Sequence, residues 1–146
     1  MSAIQQAEKE LGVQFPDSYC AFLLEHNGGH PLQSSFPLTE ELLTPRGSIH
    51  WFFCIDKSSV YDIRKKMRTY EDRVPSNFLT IAADPGGNLI CISFKGVDAG
   101  KVYYWDHEGE LDKSSVDSYE NVYLIANTFE EFINSLTEED LLETSR

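Results

Sequence analysis

FLTIAADPGGNLICISFKGVDAGKVYYWD, residues 78–106, predicts three consecutive β-strands separated by two loops. Phe78–Ala83 and Leu89–Phe94 are rich in β-branched and aromatic side chains, and Lys101–Asp106 continues the pattern. The loop Asp84–Asn88 contains residues that tolerate positive φ, so the first two strands should form a hairpin. The middle of the chain is therefore expected to form a mainly antiparallel sheet.

The third of these strands places large aromatic side chains at consecutive positions, Tyr103, Tyr104 and Trp105. Because successive side chains of a strand point to opposite faces, the three cannot all face one core. Either helices cover both faces of the sheet, or one face shows aromatic side chains to solvent or to a partner. Residues 49–53 pose the same question, and the sequence leaves both interpretations open.

Two helices are predicted before the sheet. Ser2 can cap the first helix, with Gln5 completing a capping box, and Gly12 suits the left-handed position that ends it. The second helix is predicted to have Pro16 at its first position and to end at the Asn-Gly-Gly segment 27–29. The inward stripes contain Ile4, Ala7, Glu8 and Leu11 in the first helix, and Tyr19, Phe22 and Leu23 in the second.

Residues 30–48 contain three prolines and three serines and are predicted to form a long loop, with one helical turn at Thr39–Leu43. Ile49–Ile55 is predicted to be a strand. A third helix should then begin at a cap supplied by Ser58 or Ser59. Its predicted inner face contains Val60, Ile63 and Met67, and its predicted solvated face contains Arg64, Lys65, Lys66 and Arg68.

The last part of the chain predicts a short strand at Val122–Ala126 and a helix capped by Asn127 or Thr128. Thr137–Leu142 is predicted to form one more short helix, within a tail, 137–146, that partly frays. Helices thus come first, strands cluster in the middle and a helix follows, which indicates an α+β fold rather than alternating βαβ units. The residues predicted to face inward from the C-terminal helix are Phe129, Phe132, Ile133 and Leu136.

The composition indicates one globular domain. The chain has 146 residues, so residues 1–146 are predicted to form a single domain. No apolar run approaches the roughly 18–20 residues that cross a bilayer, and residues 1–8 lack the features of a secretory leader. Cys20, Cys54 and Cys91 are scattered and odd in number, which indicates free, buried thiols and a cytoplasmic location.

Negative charge is concentrated near the C-terminus. The formal net charge of the chain is −12, and residues 106–146 contain twelve acidic and two basic residues, a net charge of −10. Such a surface repels phosphate backbones, so direct binding to nucleic acid is not expected. It would attract a basic protein and speed their encounter. The alternative is that the charge only keeps the protein soluble.

No stretch predicts a catalytic, cofactor or metal site. His26 and His30 have the spacing of two ligands on one helix face, but a Gly-Gly pair between them should end the helix. Neither Gly-Gly pair of the chain has the form of a phosphate-binding loop, and no nucleophile elbow is present. Asp84, Asp106 and Glu108 lie near strand ends, but among 24 acidic residues some must cluster by chance. We therefore expect a binding protein that is not an enzyme.

The segment EKELGVQFPDSY, residues 8–19, together with the Phe-Leu pair 22–23 and the Asn-Gly-Gly segment 27–29, resembles the opening signature of the SUKH superfamily. Ile81–Ile92 resembles the central hairpin of that family, and residues 100–108 and 129–133 resemble its later segments. The superfamily includes a yeast cell-wall-synthesis regulator and many bacterial immunity proteins. The likeness covers nearly the whole chain, with the exception of residues 30–48.

The resemblance implies an α+β fold whose curved central sheet carries the N-terminal helices, one mid-chain helix and a C-terminal helix. It implies an immunity protein, or antitoxin, that binds the catalytic domain of a cognate polymorphic or contact-dependent toxin. That toxin domain is often a nuclease, and the immunity protein neutralises it by non-covalent occlusion. The alternative is a regulatory or scaffold module that has no toxin partner.

A candidate partner-binding surface follows from the charge asymmetry and from the predicted hairpin ends. Basic nuclease surfaces would attract such carboxylates, and tyrosine and tryptophan are favoured anchors at protein interfaces. The sequence specifies neither the toxin nor the oligomeric state. The predicted surface consists of the acidic residues Asp84, Asp106, Glu108, Glu110 and Asp112, with Tyr104 and Trp105 as anchors.

Overall fold

The computed structural model describes residues 2–38 and 46–138. Within these ranges the chain forms four α-helices and eight β-strands. The helices are α1 (Ala3–Leu11), α2 (Asp17–His26), α3 (Ile63–Thr69) and α4 (Phe129–Asn134). The strands are β1 (Gln33–Pro37), β2 (Arg46–Ser48), β3 (Trp51–Phe52), β4 (Phe78–Ala83), β5 (Leu89–Ser93), β6 (Val102–Trp105), β7 (Val122–Ala126) and β8 (Thr137–Glu138).

The described strands form two antiparallel sheets. The larger sheet has the order β3-β4-β5-β6-β7, and the smaller one has the order β2-β1-β8. Every pair of neighbouring strands in both sheets is antiparallel. The predicted α+β class is therefore confirmed, whereas the smaller sheet was not predicted from the sequence.

The β4–β5 hairpin forms as predicted, because its turn satisfies its own backbone. Oδ1 of Asp84 accepts hydrogen bonds from the backbone N–H groups of Gly86 (2.9 Å) and Asn88 (2.8 Å). Gly87 has a φ of 93°, a conformation that glycine adopts without the steric cost of a Cβ. The turn therefore fixes the register of the two strands, in which Ala83 lies opposite Leu89.

Both faces of the larger sheet are covered, which decides the question left open by the consecutive aromatic residues. Tyr104 packs against Phe36 of β1, with ring centroids 6.4 Å apart. On the other face, Trp105 packs edge-on against Tyr70 at the end of α3, with ring centroids 6.0 Å apart. All four residues of β6 are buried as a result.

The predicted caps of α1 and the predicted end of α2 are confirmed. The backbone N–H of Ser2 donates to Oε1 of Gln5 (3.0 Å), and the N–H of Gln5 donates back to Oγ of Ser2 (3.1 Å). Gly12 ends α1 in the left-handed conformation, with a φ of 68°. Pro16 is the residue before α2 rather than its first helical residue, and Asn27, at a φ of 35°, ends that helix.

The prediction of a long loop over residues 30–48 is wrong, because β1 and β2 form a hairpin there. Ser34 and Ser35 of β1 are buried, and these polar side chains hid the apolar signal expected of a strand. The hydroxyl of Ser35 is satisfied by Nε of Arg46 (2.8 Å). Phe36 is fully buried directly opposite Gly47, where any Cβ would collide with its ring. The predicted helical turn at Thr39–Leu43 lies outside the described residues.

Two further boundaries differ from the prediction. Within Ile49–Ile55 only Trp51–Phe52 forms a strand, although the backbone N–H groups of His50 and Phe53 also donate to β4, to the carbonyls of Ala83 and Ile81. Thr137–Glu138, predicted to begin a helix, is the strand β8 and pairs with β1. The remainder of that predicted helix lies outside the described residues.

The predicted start of the third helix is wrong, and its predicted faces are right only in part, since Ile63 and Met67 do pack against the core. Asp62, not Ser58 or Ser59, caps α3 by accepting a hydrogen bond from the N–H of Arg64 (2.8 Å). Val60 precedes the helix and is 70% exposed. Arg64, predicted to be solvated, is buried because its guanidinium is held by the carboxylates of Asp62 and Glu10.

The C-terminal strand and helix agree with the prediction. The strand β7 has the predicted bounds, and Thr128 caps α4 by accepting a hydrogen bond from the N–H of Glu131 (3.0 Å). Phe129 of α4 is buried, and its ring packs against that of Tyr19 in α2, with the ring centroids 5.1 Å apart. The two helices thereby share one aromatic cluster at the edge of the core.

Asp98, in the loop before β6, links that loop to the larger sheet. Its carboxylate accepts hydrogen bonds from the hydroxyls of Ser93 (2.7 Å), Tyr103 (2.8 Å) and Tyr119 (2.7 Å). Burial acts to raise the pKa of Asp98, but the hydrogen bonds from these hydroxyls outweigh it and hold the pKa below its usual value. The ionised form of Asp98 is therefore stabilised in the folded state.

Replacing Asp98 with asparagine is expected to lower the free energy of unfolding by about 2 kcal/mol at pH 7, because charge-assisted hydrogen bonds are lost. The pKa of Asp98 is lower in the folded chain than in the unfolded chain. Its contribution is therefore complete above about pH 4 and is lost as the pH falls through the folded-state value. Urea unfolding between pH 7 and pH 2 should show a smaller acid-dependent loss of stability in Asp98→Asn than in wild type. Equal losses in both proteins would contradict this assignment.

Candidate partner-binding surface

The acidic residues predicted to form a surface lie at one end of the larger sheet. The β4–β5 turn and the segment after β6 meet there, since the backbone N–H of His107 donates to Oδ1 of Asn88 (3.0 Å). A short 3-10 turn, His107–Gly109, follows, and Asp106 caps it by accepting a hydrogen bond from the N–H of Glu108 (3.0 Å). The structure thus brings Asp84 close to the segment that follows β6.

Asp84 has a structural role within this end of the sheet. Besides its bonds to the turn backbone, its Oδ2 accepts hydrogen bonds from Nδ2 of Asn88 (2.9 Å) and from the hydroxyl of Tyr104 (3.0 Å). Both carboxylate oxygens are therefore already occupied. Removing Asp84 would disturb the turn, so this residue is a poor candidate for a direct partner contact.

Glu110 is also paired within the chain. Its two carboxylate oxygens accept hydrogen bonds from Nε (2.9 Å) and Nη2 (3.1 Å) of Arg73, a bidentate arrangement. The hydrogen bonds from Arg73 hold the pKa of Glu110 below its usual value. The charge of Glu110 is thereby largely neutralised, and little of it remains to attract a partner.

Tyr104 and Trp105 do not present anchors at the surface, which corrects the prediction for these two residues. Trp105 is fully buried and Tyr104 is 7% exposed, because both faces of β6 are covered. The guanidinium of Arg73 and the ammonium group of Lys113 lie over the indole of Trp105, at 5.9 and 6.0 Å from the ring centroid. These two cations separate the tryptophan from solvent.

Three of the predicted residues remain available at the surface. Glu108 and Asp112 are exposed and form no ion pair within the described part of the chain. Asp106 is half-buried, and of its two carboxylate oxygens only Oδ1 accepts a hydrogen bond from the residues that the structure describes. Leu111 lies among them with its side chain 95% exposed. We name Asp106, Glu108, Leu111 and Asp112 the acidic loop surface.

Leu111 was missed by the sequence analysis. The signal available was weak: an isolated leucine between Glu110 and Asp112, in a segment with no helical or strand periodicity. An exposed leucine by itself is common on protein surfaces and needs no explanation. What distinguishes Leu111 is its place beside the uncompensated carboxylates of Glu108 and Asp112.

Other candidate sites have structural explanations in the described residues. A cleft of about 500 Å³ lies between α1 and α3, but its buried cation, Arg64, is already bound by two carboxylates. Across residues 2–38 and 46–138, no three His, Cys, Asp or Glu side chains converge to hold a metal ion. The helix α2 ends at His26, so His26 and His30 do not share a helix face. Cys91 is buried, and desolvation raises the pKa of its thiol.

The sequence matches a known protein family over most of its length. The model of the SMI1 / KNR4 family (SUKH-1) matches residues 2–135, which include the acidic loop surface. The chain belongs to the SUKH-1 family. The predicted resemblance is thus confirmed, and SUKH domains are known for immunity proteins rather than for enzymes.

This SUKH-1 chain is similar to a protein of Bacillus subtilis strain 168, the SPbeta prophage-derived uncharacterized protein YokK. The two are 32% identical over an alignment of 155 positions that covers 94% of this chain and 74% of the relative. In the part of this chain that the structure describes, no helix has the length and apolarity needed to cross a membrane.

Proposed function

We propose that this SUKH-1 protein is an immunity protein that binds and neutralises the catalytic domain of a cognate polymorphic or contact-dependent toxin. Neutralisation is by non-covalent occlusion in the cytoplasm, without catalysis by the immunity protein. The observation that carries the proposal is the acidic loop surface, where the exposed carboxylates of Glu108 and Asp112 accompany an exposed leucine at one end of the larger sheet. The toxin domain that fits this surface is basic, as a nuclease is.

The electrostatics favour such a partner. An enzyme that cleaves nucleic acid needs lysine and arginine side chains to grip phosphates, and this basic surface is complementary to uncompensated carboxylates. Long-range attraction between the two surfaces raises the association rate, which matters for an inhibitor that must act before damage occurs. Glu108 and Asp112 suit this role because neither is neutralised by a cation in the described residues.

An apolar contact at Leu111 would add binding free energy beyond that supplied by the charges. Leucine buried in a partner's pocket contributes roughly 1.5–3 kcal/mol, and it works best when surrounding contacts exclude water. Leu111 lies between Glu110 and Asp112, so a partner that seats the leucine also meets the carboxylates. The family membership supports the same function, and so does a relative whose name places its gene in a prophage.

Reversing two charges of the acidic loop surface tests the proposal. Asp106→Lys combined with Glu108→Lys is expected to weaken the affinity for the toxin domain at least about tenfold, mainly through slower association. The toxin domain is identified by co-purification from the native host followed by mass spectrometry, and binding is then measured by surface plasmon resonance at several salt concentrations.

The matched control makes the same change of charge elsewhere. Asp17 and Glu25 are exposed on α2, and Asp17→Lys with Glu25→Lys should leave the affinity within about threefold of wild type, since screening limits distant charges. Equal losses in both double variants would mean that net charge, not this surface, drives binding. A partner that binds but is not a toxin would favour a regulatory or scaffold role instead.

A further inference from the structure

The cleft between α1 and α3 has an apolar floor. Its volume is about 500 Å³, which falls within the roughly 300–1,000 Å³ that is usual for ligand pockets. Arg64, which lines it, is already paired with two carboxylates, so the cleft must recognise a partner through its floor and its exposed rim. The floor consists of the apolar residues Leu11, Val13, Met67, Val74, Phe78 and Phe94.

The lining of this cleft suits a bulky apolar side chain supplied from outside. Val74 and Phe78 are buried in the core, whereas Leu11, Met67 and Phe94 are only half-buried, so these three retain apolar surface that another side chain can cover. Burying such an anchor contributes roughly 1.5–3 kcal/mol, and aromatic anchors are favoured at protein interfaces. The cleft can therefore seat one aromatic or large aliphatic side chain of a partner.

The rim of the cleft favours one sign of charge beside that anchor. Five charged residues line the cleft, three acidic and two basic, and Glu10 is paired with Arg64 (2.8 Å). The other three, Arg68, Glu71 and Asp72, are exposed and form no ion pair within the described residues. Since two of these three unpaired charges are negative, a lysine or arginine beside the anchor is favoured over an acidic residue.

The loop that carries the acidic loop surface also reaches the cleft. Glu110, which precedes Leu111, holds Arg73 through two hydrogen bonds (2.9 and 3.1 Å), and both sequence neighbours of Arg73 line the cleft. Farther along the loop, Val116 lines the cleft and is 37% exposed. The Cα atoms of Leu111 and Val116 are at most about 18 Å apart, because five residues extend no farther. A standard interface covers roughly 800 Å² per partner and is about 30 Å across, so one partner can contact both.

We propose that the cleft between α1 and α3 is a second contact for the toxin domain, and that it takes a bulky apolar or aromatic side chain with a lysine or arginine next to it. The anchor contacts the apolar floor, and its basic neighbour pairs with Glu71 or Asp72. This inference rests on the proposed function, because it names a further binding surface for the same partner. The acidic loop surface speeds association, and the cleft slows dissociation.

A methionine provides a direct reporter of the cleft. The chain contains only two methionines, and one of them, Met67, lines the cleft. In protein labelled with methyl-¹³C methionine, an NMR spectrum therefore contains at most two such signals, and Met67→Leu identifies the one from the cleft. The probe is the tripeptide Lys-Trp-Lys, acetylated and amidated at its ends. Lys-Ala-Lys is the control for the ring, and Glu-Trp-Glu is the control for the charge.

We expect Lys-Trp-Lys to shift the Met67 methyl signal saturably, with a Kd on the order of 1 mM, as a single small anchor allows. Lys-Ala-Lys lacks the ring that covers the floor, and Glu-Trp-Glu is repelled by the carboxylates of Glu71 and Asp72. Both control peptides should therefore bind at least about fivefold more weakly.

Val116→Trp tests the floor, because it places an indole of the chain itself at the wall of the cleft. This variant should weaken binding of both Lys-Trp-Lys and the toxin domain at least about tenfold. Leu24→Trp is the matched control, since it adds the same ring at an exposed position of α2, and none of the cleft-lining residues belongs to α2. The control should bind within about threefold of wild type.

Glu71→Gln combined with Asp72→Asn tests the rim. Asp72 has a φ of 62°, a conformation that asparagine also tolerates, so the double variant removes charge without adding backbone strain. It should weaken Lys-Trp-Lys at least about threefold and remove the preference for this peptide over Glu-Trp-Glu.

Several results would overturn the inference. These are no shift of the Met67 signal at roughly 10 mM Lys-Trp-Lys, equal affinities for the three peptides, or a concentration-dependent shift without peptide, which would mean that a second copy occupies the cleft. The peptide comparison in wild type stays decisive even if Val116→Trp does not fold. If Val116→Trp folds, loses the peptide and binds the toxin domain as wild type does, the inference fails while the proposed function stands. If wild type binds the peptide in the cleft but neutralises no toxin of its host, the proposed function fails instead.

Discussion

Asp62→Ala is expected to lower the free energy of unfolding by about 3–5 kcal/mol, because it removes the buried one of the two carboxylates that pair with the buried Arg64 and leaves only the partly exposed Glu10. Asp62 is 1% exposed and Arg64 is 7% exposed. Oδ1 of Asp62 accepts a hydrogen bond from Nε of Arg64 (2.9 Å), and Oδ2 accepts one from Nη2 (2.7 Å). A loss of this size is a large part of the roughly 5–15 kcal/mol that holds a domain folded.

The carboxylate of Asp62 also organises the backbone before α3. It accepts hydrogen bonds from the N–H of Arg64 (2.8 Å), as a helix cap, and from the N–H of Asp56 (2.8 Å). Burial acts to raise the pKa of Asp62, but the hydrogen bonds from Arg64 and from the backbone outweigh it, so the pKa lies below its usual value. The residue is therefore ionised at neutral pH, where its loss is measured.

The measurement is urea unfolding at pH 7 by circular dichroism. Lys57→Ala is the matched control, since Lys57 belongs to the same network through Glu10 (3.2 Å) but is 71% exposed. Exposed pairs contribute about 0–1 kcal/mol, so the control should be nearly as stable as wild type. Restoring most of the stability of Asp62→Ala by adding Arg64→Met would show that the unpaired charge causes the loss. A loss below about 1 kcal/mol in Asp62→Ala would contradict the buried ion pair.

Gly28→Ala is expected to lower the free energy of unfolding by about 2–5 kcal/mol, since strain from the left-handed conformation adds to overpacking. Gly28 has a φ of 85°, and a Cβ there would lie 2.8 Å from the backbone oxygens of both Phe52 and Phe53. These oxygens belong to the backbone of β3 and the residue after it, so they cannot move aside without disturbing the edge of the larger sheet.

Gly12→Ala is the matched control for this prediction. Gly12 has a φ of 68°, but a Cβ on it would have no atom within 4 Å. Only the conformational cost of about 1–2 kcal/mol should therefore appear. Thermal and urea unfolding of the two variants separate strain from collision. Equal destabilisation would mean that the contact between residue 28 and the Phe52–Phe53 backbone has little effect.

Local signals predicted most of the fold correctly. The capping box of Ser2 and Gln5, the left-handed Gly12 and the β4–β5 turn each depend on residues close together in sequence. Such features are decided by short-range sterics and hydrogen bonding, so the sequence alone is sufficient. The strand β7 was likewise predicted with its exact bounds from its β-branched and aromatic residues.

Features that depend on distant residues were not predicted. Arg64 looked solvated because its helix segment is basic, and nothing in the sequence indicated that its guanidinium pairs with Glu10 of α1 as well as with Asp62. Ser34 and Ser35 did not look like core residues, but β1 is covered because β2 and β8 pair with it. In both cases a polar group is buried because a partner far along the chain satisfies it.

At the candidate surface, too, local features were predicted from the sequence and contacts between distant residues were not. The sequence placed Asp84, Asp106, Glu108, Glu110 and Asp112 in one acidic region, and the structure brings the turn of Asp84 against the segment after β6. It did not reveal that Arg73 pairs with Glu110, since Arg73 is 37 positions earlier in the chain. Nor did it reveal that the aromatic residues of β6 face two covered sides.

The two cations over the Trp105 ring allow changes at the acidic loop surface to be followed by tryptophan fluorescence. Indole emission shifts when the electric field across the ring changes, and both Arg73 and Lys113 lie within about 6 Å of this ring. Glu110, which holds Arg73, is next to Leu111, so a partner seated on the loop acts on the residue that positions the cation. With Trp51 replaced by phenylalanine, Trp105 is the remaining tryptophan of the chain. If the proposed partner docks on the acidic loop surface, the fluorescence of Trp105 should report that binding in real time, without a label attached to the surface.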